Sequence, residues 1–174
     1  MKAAAKAPPP FFLRAAGPPD QGFLLRLYAS TREAELARTG WNGAQRDEFL
    51  RGQFEARRAD YRHRFPGAED AIIVVEGADA GAWTVWKSPG EIRLVNIELL
   101  PSFRGRGVGS ALIRGLLAES VAKGTPLGLS VHESNRDAQR LYQRIGFRPA
   151  TRANGYIPMG ISPVEASRFL GRHR

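Results

Sequence analysis

Residues 100–112 read "LPSFRGRGVGSAL". The stretch is too rich in glycine for an ordinary helix, and its end is too apolar for an ordinary loop. It follows the apolar run "IRLVNIEL" (92–99) and leads into "VGSALIRGLLAESVAK" (108–123), so it reads as a turn joining a strand to a helix. Pro101 closes the strand. The helix keeps Val108, Ala111, Leu112 and Leu116 on one face and is predicted to stop at Gly124. The first amides of such a helix have no intrahelical partner and carry the positive end of its macrodipole, which makes this junction an anion site. Gly105, Gly107 and Gly109 remove Cβ atoms that would keep an anion away, and Arg104 and Arg106 can add charge-assisted contacts. The spacing G-x-G-x-G is neither the dinucleotide fingerprint nor a P-loop, because Gly109 is followed by Ser110-Ala111 rather than Lys-Ser or Lys-Thr.

Upstream, "AIIVVE", "AWTVWK" and "IRLVNIELLP" predict three consecutive strands, with a Gly-Ala-Asp-Ala-Gly connection (77–81) and an SPGE turn between them. "FFLRAA" (11–16) predicts an earlier strand, followed by a helix with Asp20 near its start. Leu50, Phe54, Tyr61 and Phe65 predict a second helix ended by Pro66-Gly67, with a solvated, arginine-rich opposite face. Downstream come a strand "PLGLSV", a helix "NRDAQRLYQRI" capped by Asn135 and stopped by Gly146, and two final strands in "FRPATRANGYIPMGI". The chain is read as a disordered basic Ala/Pro tail over 1–10 and one domain over 11–174.

Composition narrows the function classes. The 174 residues contain no cysteine, so thiol nucleophiles, disulfide frameworks and cysteine-ligated metals are excluded, and a cytoplasmic location is expected. The longest apolar run is "AIIVV", far below the ~20 residues that span a bilayer, so no membrane partner is expected. His63, His132 and His173 lack metal-ligand spacing, so no metal is expected either. The net charge is +9, and residues 104–148 hold eight Lys and Arg against three acids. That field suits phosphate-bearing ligands, but no nucleic-acid reader motif accompanies it and no specific nucleic-acid partner is expected.

Two motifs in order, Arg104-x-x-Gly107-x-Gly109 and then Asn135, Ala138, Leu141-Tyr142, Gly146-Phe147, resemble those of the GNAT superfamily of N-acetyltransferases. The resemblance covers about residues 70–160. It implies an α/β (α+β) GNAT-like fold, a mixed and mostly antiparallel sheet splayed between its fourth and fifth strands and flanked by helices. It also implies acetyl-CoA as co-substrate, with the pyrophosphate on Arg104, Gly105, Arg106, Gly107, Val108, Gly109 and Ser110 and the pantetheine arm along Ile97 and Leu99. Asn135 reads both as a helix cap and, by the resemblance, as a pantetheine partner. Tyr142 lies on an apolar face, where core packing and proton donation to the departing CoA thiolate both fit.

The implied reaction is direct attack by a primary amine of a small molecule, peptide or protein on the thioester, within a ternary complex. Positions that carry a glutamate base in some branches hold Ser130 and Arg93 here. Glu98 is the chosen base, with His132 and Glu133 as further candidates. A CoA-binding module without catalysis is the alternative, and the resemblance allows a homodimer.

Overall fold

The computed structural model describes residues 7–152 and 154–172. Residues 1–6 of the expected tail and His173 lie outside the described residues. Seven strands, β1 (Phe11–Ala15), β2 (Glu69–Val75), β3 (Ala78–Lys87), β4 (Ile92–Leu99), β5 (Leu127–His132), β6 (Arg148–Pro149) and β7 (Tyr156–Ile161), form one sheet in the order β1-β2-β3-β4-β5-β7-β6. The mixed, mostly antiparallel sheet expected from the sequence is present. Its parallel pair is β4 with β5, in register from Ile92↔Leu127 to Leu94↔Leu129.

By its contacts the chain divides into two compact units, Met1–Thr84 with Asn96–Gly109, and Val85–Val95 with Ser110–Arg174. Strands β3 and β4 contribute residues to both.

In the first unit, β1 pairs antiparallel with β2 from Phe11↔Val75 to Ala15↔Ala71. Helices α1 (Gln21–Leu36) and α2 (Gly43–Arg64) bury Tyr28, Leu36, Leu50 and Phe54 in one cluster, with the Tyr28 and Phe54 rings 5.9 Å apart. Asn42 and Gln45 close a capping box at the start of α2. Asp20 stands at the start of α1 as expected, but its carboxylate makes no cap bond. It accepts from both terminal nitrogens of Arg14 and from the Gly17 amide instead. The connection between β2 and β3 is shorter than predicted: Glu76 (φ 52°) and Gly77 (φ 82°) make a two-residue turn, and residues 78–81 belong to β3.

In the second unit, α3 (Val108–Lys123) buries Leu112, Ile113, Leu116 and Leu117, and Gly124 (φ 63°) ends it. Strand β7 pairs with β5 from Leu127↔Ile161 to His132↔Tyr156, and with β6. Helix α4 (Arg136–Ile145) ends at left-handed Gly146. A fifth helix, α5 (Pro163–Gly171), was not predicted, although Ser162 and Glu165 form a capping box with Pro163 in the first turn. Among the described residues no helix is long and apolar enough to cross a membrane.

Candidate active site

The β4–α3 junction has the backbone its sequence demands. Leu100 N–H donates to the Ala80 carbonyl, Pro101–Phe103 form one 3-10 turn, and Arg104 N–H donates to Pro101. Gly105 and Gly107 have φ of 71° and 85°, conformations that a side chain disfavours. A Cβ on Gly105 would meet nothing within 4 Å, so its glycine serves the turn and not packing. Helix α3 begins at Val108, so its first turn carries the amides without intrahelical partners that suit an anion; Pro8 lies beside this bend, 3.6 Å from where a Cβ on Gly107 would sit. The two arginines are already anchored. Arg104 Nε donates to the Leu99 carbonyl at 2.7 Å, while Arg106 pairs with Glu76 at 2.6 Å and lies over the Phe103 ring. Each keeps further N–H donors, so the junction fits a pyrophosphate.

Strand β4 brings Ile97, Glu98 and Leu99 to this junction, all half-buried. Gly81 on β3 lies so close to β4 that a Cβ there would sit 2.2 Å from the Glu98 carbonyl. Both Glu98 carboxylate oxygens accept from Arg57 of α2, at 2.5 and 3.1 Å. The Arg57 guanidinium also stacks on Tyr28, 4.4 Å from the ring centroid. Burial works against the Arg57 charge, and the Glu98 carboxylate more than offsets it, so the guanidinium pKa rises above its ordinary value.

These residues line a cavity of about 340 Å³ within the first unit. Phe54, Tyr61, Phe65 and Trp83 supply apolar wall; Asn96, Asp70 and Thr84 supply polar groups, with the Thr84 hydroxyl donating to Asp70 at 2.6 Å. Arg57, Arg58 and Arg62 line it as well. This part of the arginine-rich face of α2, expected to be merely solvated, thus faces a cavity. The ion pair of Arg57 with Glu98 was missed, because nothing local links residues 41 positions apart.

The second unit holds the remaining predicted residues. Asn135 caps α4, its Oδ1 accepting from Ala138 N–H at 3.1 Å, and its amide nitrogen is left for another partner. Gln139, which the sequence reading passed over, is buried and donates to the carbonyls of His132 and Glu133, fixing the turn that presents Asn135. Tyr142 is buried with its ring 5.7 Å from that of Phe147, and burial pushes the phenol up to about 12. Its hydroxyl has no hydrogen-bond partner among the described residues.

The two positions that lack a glutamate bond to each other, Arg93 Nη2 donating to Ser130 Oγ at 2.8 Å. His132 Nδ1 lies 2.7 Å from the Ser134 hydroxyl and 3.2 Å from the Ser134 amide nitrogen, and Glu133 pairs with Arg152 at 3.8 Å. Among the described residues no group of three or more His, Cys, Asp or Glu could hold a metal ion.

A mixed sheet with one parallel pair, a glycine-rich turn leaving its fourth strand and an asparagine-capped helix after its fifth together define a class. The chain belongs to the acetyltransferase (GNAT) family, whose model matches residues 31–147. It is similar to the ribosomal protein bS18-alanine N-acetyltransferase of Haemophilus ducreyi, 36% identical over 70 residues, which are 40% of this chain and 48% of that protein. It is also similar to the thialysine N-epsilon-acetyltransferase of Bos taurus, 33% identical over 76 residues, covering 43% of this chain and 44% of the relative. The chain thus spans less than half the length of either relative. Among solved structures, the PaiA N-acetyltransferase of Thermoplasma acidophilum in complex with coenzyme A superposes with a TM-score of 0.65, at 13% identity, over 88% of this chain and 99% of that one. At that identity the likeness is one of fold.

Proposed function

We propose that this protein is an acetyl-CoA-dependent N-acetyltransferase that passes the acetyl group to a primary amine by direct attack in a ternary complex. The observation that carries the reading is the β4–α3 junction, where two left-handed glycines and the first turn of α3 sit beside Arg104 and Arg106 in a chain of the GNAT family. In this reading Arg104 to Ser110 hold the pyrophosphate, Ile97 and Leu99 offer backbone groups to the pantetheine arm, and Asn135 adds its side-chain amide. The coenzyme supplies the thioester. The protein supplies position, a proton acceptor and a proton donor.

An alkylammonium with a pKa near 10.4 must lose its proton before it can attack. Glu98 is the proposed acceptor. Arg57 takes one lone pair on each of its oxygens and leaves one lone pair per oxygen for the amine or an intervening water. Tyr142, pushed up to about 12, stays protonated at neutral pH and can donate a hydrogen bond to the departing CoA thiolate. A cytoplasmic setting, supported by the cysteine-free chain, and a homodimer are part of the same reading.

The test is release of free thiol from acetyl-CoA against a panel of primary amines, with Tyr142→Phe beside the wild type and with CoA-induced thermal stabilisation measured in parallel. Turnover that falls in the variant while CoA still stabilises it is expected. Stabilisation without turnover on any amine would turn the reading into that of a CoA-binding module, and no stabilisation at all would overturn it.

A further inference from the structure

Within the cavity of the first unit the charges are unevenly matched. Arg57 gives both of its terminal nitrogens to Glu98. Arg58 and Arg62 line the same cavity one helical turn apart, and neither has an ion pair or a hydrogen bond among the described residues. Arg58 only lies over the Phe54 ring, 5.7 Å from its centroid. A guanidinium is a planar fork that matches a carboxylate, and two of them at i and i+4 on a cavity wall make a ready receptor for one. Opposite in charge, Glu98 and Asp70 line the same space, with the aromatic walls of Phe54, Tyr61 and Trp83.

Resting on the acetyl-transfer reading above, we infer that the acyl acceptor is a small zwitterionic amine, an amino acid whose carboxylate pairs with Arg58 and Arg62 while its amine turns toward Glu98 and its apolar side chain packs on the aromatic wall. The cavity volume, about 340 Å³, lies at the lower end of the roughly 300–1,000 Å³ typical of small-molecule sites and suits a free amino acid. Arg58 and Arg62 are then specificity determinants: they select the acceptor and take no part in moving its proton.

The test compares two products that differ only in the carboxylate, N-acetylphenylalanine and N-phenethylacetamide, binding to the protein with CoA by calorimetric titration. This avoids the different basicities of the parent amines. The wild type should bind the acid at least about tenfold more tightly, the effect of one good charge-assisted pair. In Arg58→Gln/Arg62→Gln the ratio should fall below about threefold, and each single variant should fall between. Arg64→Gln removes the same charge from the same helix outside the cavity and should keep the wild-type ratio. Equal binding by the wild type, or a preference that persists in the double variant, would overturn the inference. Absence of turnover with every amine would sink the acetyl-transfer reading instead, and the product titration would still decide the carboxylate preference.

Discussion

Arg57 holds both carboxylate oxygens of Glu98, joining α2 to the end of β4 across 41 residues of sequence. The two side chains are 23% and 13% exposed, so each charge has little water to fall back on if the other is removed. Breaking a buried pair costs about 3–5 kcal/mol, and the remaining exposure lowers the expectation here to about 2–3 kcal/mol for Arg57→Met or Glu98→Leu. The double variant Arg57→Met/Glu98→Leu should lose less than the sum, because no charge is stranded. Urea unfolding of the four proteins checks this. Additive losses would mean the pair is not coupled.

Gly81 and Gly115 make opposite predictions for the same substitution. A Cβ on Gly81 would sit 2.2 Å from the Glu98 carbonyl, where only backbone can give way, so Gly81→Ala should cost about 2–4 kcal/mol and disturb the placement of Glu98. Gly115 is inside α3 with open space around it, and Gly115→Ala should stabilise by about 0.5–1 kcal/mol. Thermal unfolding of the two variants measures both, and a neutral Gly81→Ala would show that β3 and β4 can separate there.

These residues also show what the sequence makes legible. The starts and stops of α3 and α4 depend on neighbours within four positions, so Gly124, Asn135 and Gly146 could be read directly. The same local logic operates at Ser162-Pro163-Val164-Glu165, whose capping box starts α5. Residues 77–81 misled for a physical reason. Two glycines and an aspartate look like a loop, but Gly81 is small because β4 passes against it, a demand made from Glu98. The ion pair of Arg57 with Glu98 has the same character. Its partners meet only once α2 and β4 are in place, and a row of arginines on a helix looks solvated until the cavity beside it is known.

Tyr142 gives a pH prediction. Burial pushes its phenol from 10.0 to about 12, so its proton is held more tightly in the folded protein than in the unfolded chain. That contribution to stability is fully present below pH 10 and is lost as pH rises toward 12. Tyr142→Phe should therefore narrow its stability gap to the wild type, or reverse it, over that alkaline window. At pH 8 the variant should lose about 10²-fold in kcat, the lower range for a general acid, with little change in acetyl-CoA KM. Wild-type kcat should show no decline near pH 10, since the donor is still protonated there; a decline at that pH would assign the proton to another group.

Glu165 works in the other direction. The Arg148 guanidinium, with further bonds from the Ser162 hydroxyl and amide, holds its carboxyl at about 2 against an ordinary 4.5. The folded protein therefore binds this proton less readily than the unfolded chain. Its contribution is fully present above about pH 4.5 and is lost as pH falls toward 2. Glu165→Gln keeps one acceptor for the cap and removes the charge, so it should be less stable than the wild type at pH 7. The gap should close progressively between pH 4.5 and 2 in urea unfolding series. A gap constant across that window would show that the α5 cap depends on its hydrogen-bond geometry and not on the carboxylate charge.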